Sequence, residues 1–124
     1  MARNSYMTGQ AGESAAAICL RAEGCRILEH DYHYGHIDID LIAEDQGCLI
    51  FAEVKYRRQG SCQHPLQAVD KRKQRRMSAA ALQYMVQHGF GPQTNCRFDV
   101  IAFYGREPIH IKNAFEFAYS GIAY

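Results

Sequence analysis

Several features that define common protein classes are missing from this chain of 124 residues. No uninterrupted apolar run approaches ~18 residues, so we expect no membrane-spanning helix. The N-terminal region has no apolar segment followed by a cleavage site, so we expect no secretory signal. Internal repeats and low-complexity tracts are also missing. With 48% apolar residues, the chain is expected to fold as one globular domain over residues 1–124.

Paired cysteines are missing as well. The five cysteines are an odd number, and none of them forms a Cys-x-x-Cys pair. This pattern disfavours a disulfide framework or a zinc ribbon and favours buried free thiols in a reducing compartment. We therefore expect a cytoplasmic protein.

The net charge of +1 conceals a strong segregation of charge along the chain. Residues 1–54 carry three basic and nine acidic side chains, whereas residues 55–76 carry eight basic and one acidic side chain. Carboxylates that can hold a metal, next to cations that can pair with a phosphate backbone, suit a protein that cleaves phosphodiesters. A solvated helix face is the alternative explanation of the basic run 71–76.

A β-hairpin is predicted within residues 40–55. Residues 44–47 have a turn composition and separate two apolar stretches. We expect Ala43 to pair with Cys48 across this turn, which fixes the register of both strands.

The predicted hairpin brings together three charged side chains. In this register Asp40 lies diagonal to Glu53 on the same side of the sheet, ~7–8 Å away at the backbone. Two carboxylates at this separation can share one divalent cation. Lys55 lies on the same face as Glu53, because side chains alternate along a strand. Together the three groups could activate water for phosphodiester cleavage, and the alternative is a structural salt bridge between Glu53 and Lys55.

The order of elements predicts an α/β sandwich built on a mixed sheet of about five strands flanked by helices. The long helical connection before residue 97 allows the next strand to run parallel to an earlier one. We also expect Asp99 to anchor the structure through Arg97. The predicted helices are 8–23 and 66–88, and Pro65 suits the start of the second helix. The predicted strands are 26–34, 37–43, 48–55, 97–104 and 109–112.

An ordered set of short motifs runs along the chain. The motifs are Gly12-Glu13, Ile39-Asp40-Leu41-Ile42-Ala43, Phe51-x-Glu53-Val54-Lys55-x-Arg57, Pro65 with Ala68-Val69, Lys73 and Arg76, Arg97-Phe98-Asp99-Val100-Ile101, and His110-Ile111-x-Asn113-Ala114-Phe115. This set resembles the PD-(D/E)XK nuclease superfamily. Within it, the chain is most similar to the YraN family of predicted endonucleases, distant relatives of archaeal Holliday junction resolvases. The resemblance covers about residues 9–117 and departs from the family at Ile37-Asp38, where Gly-Glu is usual.

This resemblance implies a restriction-endonuclease-like fold and a metal-dependent endonuclease that hydrolyses DNA, with branched or junction DNA as a candidate substrate. The implied cofactor is Mg²⁺ or Mn²⁺, and Glu13 is a third candidate metal ligand beside Asp40 and Glu53. DNA is favoured over RNA, and the two-fold symmetry of a junction favours a homodimer. The residues expected to grip the phosphate backbone are Arg57, Lys73 and Arg76.

Two alternatives come from other classes of protein. The first is a nucleic-acid-binding or assembly module that keeps the nuclease scaffold without turnover. The second is a protein-interaction domain that uses the aromatic residues of the C-terminal segment. Metal and DNA binding distinguish them, because the second alternative predicts neither.

Overall fold

The computed structural model describes residues 15–118. Residues 15–22 of this part are helical and form α1. The predicted start of this helix, at residue 8, lies outside the described residues. The elements that follow are β1 (Arg26–Tyr34), β2 (Ile37–Asp45), β3 (Cys48–Arg57), a 3₁₀ helix (Pro65–Ala68), α2 (Lys71–Gln87), β4 (Cys96–Tyr104) and β5 (Glu107–Phe115).

The five strands form one mixed sheet in the order β1-β2-β3-β4-β5. The pairs β1–β2, β2–β3 and β4–β5 are antiparallel. The pair β3–β4 is parallel, which is possible because α2 carries the chain back between these two strands. The predicted α/β architecture with a mixed sheet is therefore confirmed.

A hydrophobic cluster lies on each face of the sheet. Apolar side chains of α2 pack on one face, and those of α1 pack on the other. The buried α2-side cluster contains Ile39, Ile42, Leu49, Phe51, Val69, Met77, Ala80, Ala81, Tyr84, Met85, Phe98, Val100 and Phe115. The buried α1-side cluster contains Ala16, Ala17, Leu20, Cys25, Leu41, Ala43, Ile50, Ala52, Val54, Ile101 and Phe103.

The register of the hairpin between β2 and β3 differs from the predicted one by two residues. Asp45, not Ala43, pairs with Cys48, so the turn contains only Gln46 and Gly47. Their φ angles of 50° and 85° are those of a type I′ turn, whose twist matches that of the flanking strands. A shift of an even number of residues keeps each side chain on its predicted face.

The predicted helix 66–88 is wrong as a single element. Pro65 does begin a helix, but that helix is a single 3₁₀ turn that ends at Ala68. Asp70 then starts α2 by accepting a hydrogen bond on its side chain from the backbone N–H of Lys73 at 2.8 Å. The chain therefore breaks before Asp70 because this carboxylate caps the second helix. No helix within residues 15–118 is long and apolar enough to cross a membrane.

Candidate metal and nucleic-acid site

The sheet divides at Asp40. The pairing of β2 with β3 ends at Leu41–Ala52, whereas β3 remains paired with β4 as far as Arg57–Tyr104. Beyond this point the side chain of Asp40 replaces a backbone partner, since its Oδ2 accepts a hydrogen bond from the N–H of Val54 at 2.7 Å.

Strand β2 also changes the face that it presents at this point. Ile39 packs in the α2-side cluster, whereas Leu41 packs in the α1-side cluster. On the neighbouring strand, Asp31 lies between the residues paired with Ile39 and Leu41, and its φ is 52°. This left-handed conformation is uncommon for a residue other than glycine and marks a local irregularity in the sheet. Asp40 therefore lies where the regular sheet is interrupted.

Glu53 lies next to Asp40. Continuing the observed register by one residue places Asp40 directly opposite Glu53, not diagonal to it as predicted. Because Oδ2 of Asp40 accepts from the N–H of Val54, the residue after Glu53, the Asp40 side chain reaches β3 beside Glu53.

Two lysines pair with the buried carboxylate of Glu53. Glu53 is only 3% exposed. Its Oε2 lies 3.4 Å from Nζ of Lys55, and its Oε1 lies 3.4 Å from Nζ of Lys73. Lys55 comes from the same strand, as the alternation predicted, and Lys73 comes from the first turn of α2. Burial of a carboxylate is costly, and these two ammonium groups offset the cost.

The residues of this site fit a magnesium ion. Carboxylate oxygens are the ligands that Mg²⁺ prefers, and Mg²⁺ is usually held by one or two carboxylates together with water and substrate phosphate. Asp40 and Glu53 supply two carboxylates. Within residues 15–118 no group of three His, Cys, Asp or Glu side chains is close enough to hold a metal ion. The predicted third ligand, Glu13, lies outside the described residues.

The other residues with predicted phosphate contacts lie on the two elements that form this site, β3 and α2. Arg57 ends β3, two residues beyond Lys55, and lines an open cavity of about 560 Å³ formed with the following loop, residues 58–63. Arg76 is exposed on α2, one turn beyond Lys73. Lys73 itself pairs with Glu53, so its predicted contact with phosphate would give its ammonium group a second anionic partner.

Asp38, which stands where the resembling family has Glu, points elsewhere. Its Oδ1 lies 2.5 Å from Nδ1 of His33, and its side chain is 58% exposed. This pair lies at the solvent-exposed end of β1 and β2.

A second buried carboxylate, Asp99, lies on the α1 side of the sheet. Nε of Arg97 donates to it at 3.1 Å, as the sequence predicted, and the N–H of Asn113 donates at 3.0 Å. Nε2 of His110 lies 2.7 Å from its Oδ2, and Nδ1 of the same imidazole lies 3.0 Å from Oε2 of Glu23. Sequence reasoning missed His110 and Glu23, because they are 87 residues apart in the chain and only the packing of α1 brings them together.

The pKa values of this second cluster shift in opposite directions. Burial opposes the charged imidazole of His110, but hydrogen bonds to Asp99 and Glu23 outweigh it and raise the pKa of His110. Burial likewise opposes ionisation of Asp99, but donors from His110, Asn113 and Arg97 lower its pKa. Because a carboxylate faces each ring nitrogen of His110, both nitrogens are occupied, and we assign this cluster a structural role.

These observations define the class of protein: an α/β domain with a buried carboxylate–lysine site at the point where its mixed sheet divides. The chain belongs to UPF0102, described as an uncharacterised protein family, whose model matches residues 12–103. This is the YraN family that the motifs resembled.

Relatives in the same family come from several bacteria. A UPF0102 protein of Coxiella burnetii is 37% identical over 86% of this chain and 90% of its own length. One from Symbiobacterium thermophilum is 44% identical, over 78% of this chain and 81% of its own. A third, from Lachnoclostridium phytofermentans, is 36% identical over 91% and 96%. The similarity therefore extends across most of the chain.

Proposed function

We propose that this protein is a metal-dependent endonuclease that hydrolyses phosphodiester bonds in DNA. Branched or junction DNA is the proposed substrate, and a homodimer would match the two-fold symmetry of a four-way junction. The observation that carries the proposal is the placement of Glu53, which is buried between two lysines and opposite Asp40 where the sheet divides.

Each residue of the site has a proposed role. Asp40 and Glu53 hold Mg²⁺ or Mn²⁺, with Glu13 as a candidate third ligand. The bound cation supplies electrostatic stabilisation of the phosphate and a water molecule of lowered pKa. Lys55, whose side chain is 40% exposed, orients the attacking water and offsets charge that develops on the phosphate.

Three basic residues are proposed to hold the DNA backbone. Arg57 ends the strand that carries Glu53, Arg76 lies exposed on α2, and Lys73 pairs with Glu53. Guanidinium groups suit this role because they can donate two hydrogen bonds to one phosphate. A basic surface of this kind binds DNA largely through electrostatic attraction and release of counterions.

A cytoplasmic location is part of the proposal. All five cysteines, which lie within residues 15–118, are free thiols. Cys25 is buried as expected, but Cys62 is exposed, so the expectation of buried thiols is wrong for this residue. An exposed free thiol in the loop after β3 suits a reducing compartment.

The second candidate function is a nucleic-acid-binding or assembly module without turnover. The ion pairs of Glu53 with Lys55 and Lys73 favour it, since they satisfy the buried carboxylate without a metal. This candidate keeps DNA binding through the basic surface but predicts no cleavage.

Cleavage of labelled DNA with Mg²⁺ or Mn²⁺ separates the two candidates. Single strands, duplexes, flaps and four-way junctions would be compared for the parent, Asp40→Asn and Glu53→Gln. We expect the parent to cut at least one of these and both variants to lose at least ~100-fold in rate, because each removes a metal ligand. Asp45→Asn is the matched control, as it makes the same change about 17 Å further along β2.

Two results would contradict the endonuclease proposal. One is a parent protein that binds these DNAs but cuts none of them, which would support the binding module. The other is cleavage that Asp40→Asn, Glu53→Gln and Asp45→Asn perform equally well, which would identify the activity as a contaminant.

A further inference from the structure

Four charged groups of the proposed metal site balance one another. Asp40 and Glu53 contribute two negative charges, and Lys55 and Lys73 contribute two positive charges. A divalent cation that enters this neutral set meets two ammonium groups as well as two carboxylates. A phosphodiester that enters with it contributes one negative charge, which relieves this repulsion.

The contacts of Glu53 with its lysines are long for charged groups. Both nitrogen–oxygen distances are 3.4 Å, whereas charge-assisted N–H···O⁻ hydrogen bonds are typically about 2.7–2.9 Å. The buried Asp99 illustrates the difference, since Nε2 of His110 lies only 2.7 Å from it. Lys73 is therefore held near Glu53 by charge and can exchange one anionic partner for another.

The backbone of Lys73 is fixed while its side chain reaches both the carboxylate and solvent. Its N–H donates to the capping side chain of Asp70 at 2.8 Å, which anchors the first turn of α2. Its side chain is 30% exposed, whereas that of Glu53 is 4% exposed. The ammonium group consequently lies at the boundary between the buried carboxylate and the surface where DNA is proposed to bind.

We propose that Lys73 is a positioning residue that couples metal binding to DNA binding. It neutralises Glu53 before the cation arrives and pairs with the phosphodiester once the cation has taken its place. The inference rests on the proposed endonuclease function and adds an order to it: the metal binds weakly alone and tightly together with DNA. By thermodynamic reciprocity, the metal increases DNA affinity by the same factor.

Titration of Mn²⁺ by isothermal calorimetry tests this coupling. The parent and Lys73→Met would each be titrated alone and with a phosphorothioate DNA duplex, which keeps its charge and resists hydrolysis. We expect DNA to tighten Mn²⁺ binding by the parent about tenfold. Without DNA, Lys73→Met should bind Mn²⁺ about three- to tenfold more tightly than the parent, because a nearby like charge is gone. The effect of DNA should be correspondingly smaller in this variant.

Two further variants serve as controls. Lys71→Met makes the same change of charge at an exposed position of the same helical turn, and we expect it to leave the Mn²⁺ affinity measured without DNA unchanged. Lys73→Arg keeps the charge and should behave like the parent in the absence of DNA. Circular dichroism of each variant shows whether α2 and the sheet are intact.

The possible failures of the inference and of the proposed function are distinct. If Mn²⁺ binds but Lys73→Met and Lys71→Met respond alike, Lys73 has no special relation to the metal, and the inference is wrong while the metal site stands. If neither the parent nor Lys73→Met binds Mn²⁺, with or without DNA, the proposed metal site itself is wrong, and the inference falls with it.

Discussion

Two buried carboxylates on opposite faces of the sheet differ in how they are held. Asp99 is completely buried and receives donors from Arg97, Asn113 and His110 at 2.7–3.1 Å. Glu53 is 3% exposed and is paired with two lysines at 3.4 Å. A carboxylate fully satisfied by short hydrogen bonds is fixed in place, whereas one paired through longer contacts can change partners. This difference supports a structural role for Asp99 and is consistent with the proposed metal-binding role of Glu53.

The hydrogen bonds of His110 make the stability of the fold depend on pH. The pKa of His110 is raised in the folded state, and the unfolded value is about 6.5. The folded state therefore binds the proton more tightly, so this stabilisation is complete below about pH 6.5 and is lost as pH rises through the folded pKa. We expect thermal melts of the parent to show a Tm that declines over this alkaline range. In His110→Gln this part of the decline should disappear.

The exposed pair of His33 and Asp38 provides the control for that experiment. Their side chains are 67% and 58% exposed, and exposed pairs contribute little to stability. His33→Gln should therefore reproduce the pH profile of the parent. His110→Gln should also unfold more readily at pH 6, by about 2 kcal/mol, because it removes a charge-assisted bond from buried Asp99. Equal profiles for the parent and His110→Gln would show that His110 is not the group responsible.

Local spacing explains which site residues were predictable from the sequence. Glu53 and Lys55, like Arg97 and Asp99, are two residues apart on one strand, so their contacts follow from the alternation of side chains. The contact of Lys73 with Glu53 depends on how α2 lies across the sheet. No periodicity in the sequence specifies that packing, so the sequence assigned Lys73 only to the phosphate backbone.

At the scale of elements, the hairpin and α2 were predicted with errors that have a local cause. The hairpin register was wrong by two residues because Asp45 and Glu44 resemble turn residues, yet both pair within the strand. The break before α2 was missed because helical spacing of apolar residues continued through it, while the cap of Asp70 ends that continuity. In both cases composition alone does not reveal the position of a polar residue. Asp45 pairs within β2, and Asp70 caps α2.

The cap of α2 gives a prediction at this scale. Asp70 accepts a hydrogen bond from the N–H of Lys73, and its charge favours the positive end of the helix dipole. Asp70→Ala should lower the free energy of unfolding by about 1 kcal/mol, as measured by urea denaturation. Asp70→Asn keeps an acceptor and should lose only a few tenths of a kcal/mol. If both variants match the parent, the capping bond contributes nothing to stability.

At the scale of the whole molecule, the fold brings the acidic and basic segments of the chain together at one site. The acidic residues Asp40 and Glu53 lie on the central strands, and the basic first turns of α2 lie against the same site. The sequence predicted this juxtaposition from charge counts, but the sheet and the helical crossover are what produce it. The cluster around Asp99 lies on the other face of the sheet. Glu53 therefore lies on the face covered by α2, and Asp99 lies on the face covered by α1.

This arrangement predicts that the carboxylates and the basic residues contribute differently to DNA binding. Each phosphate contact made by a cation adds about 0.9 to the slope of log affinity against log salt concentration. Arg76→Ala should therefore reduce the magnitude of that slope by about 1, as measured by fluorescence anisotropy of labelled DNA without divalent metal. Glu53→Gln should not reduce the slope, because it removes no cation and leaves Lys55 and Lys73 available to phosphate. If Arg76→Ala keeps the parent slope, the exposed face of α2 is a solvated surface, and DNA must contact the molecule elsewhere.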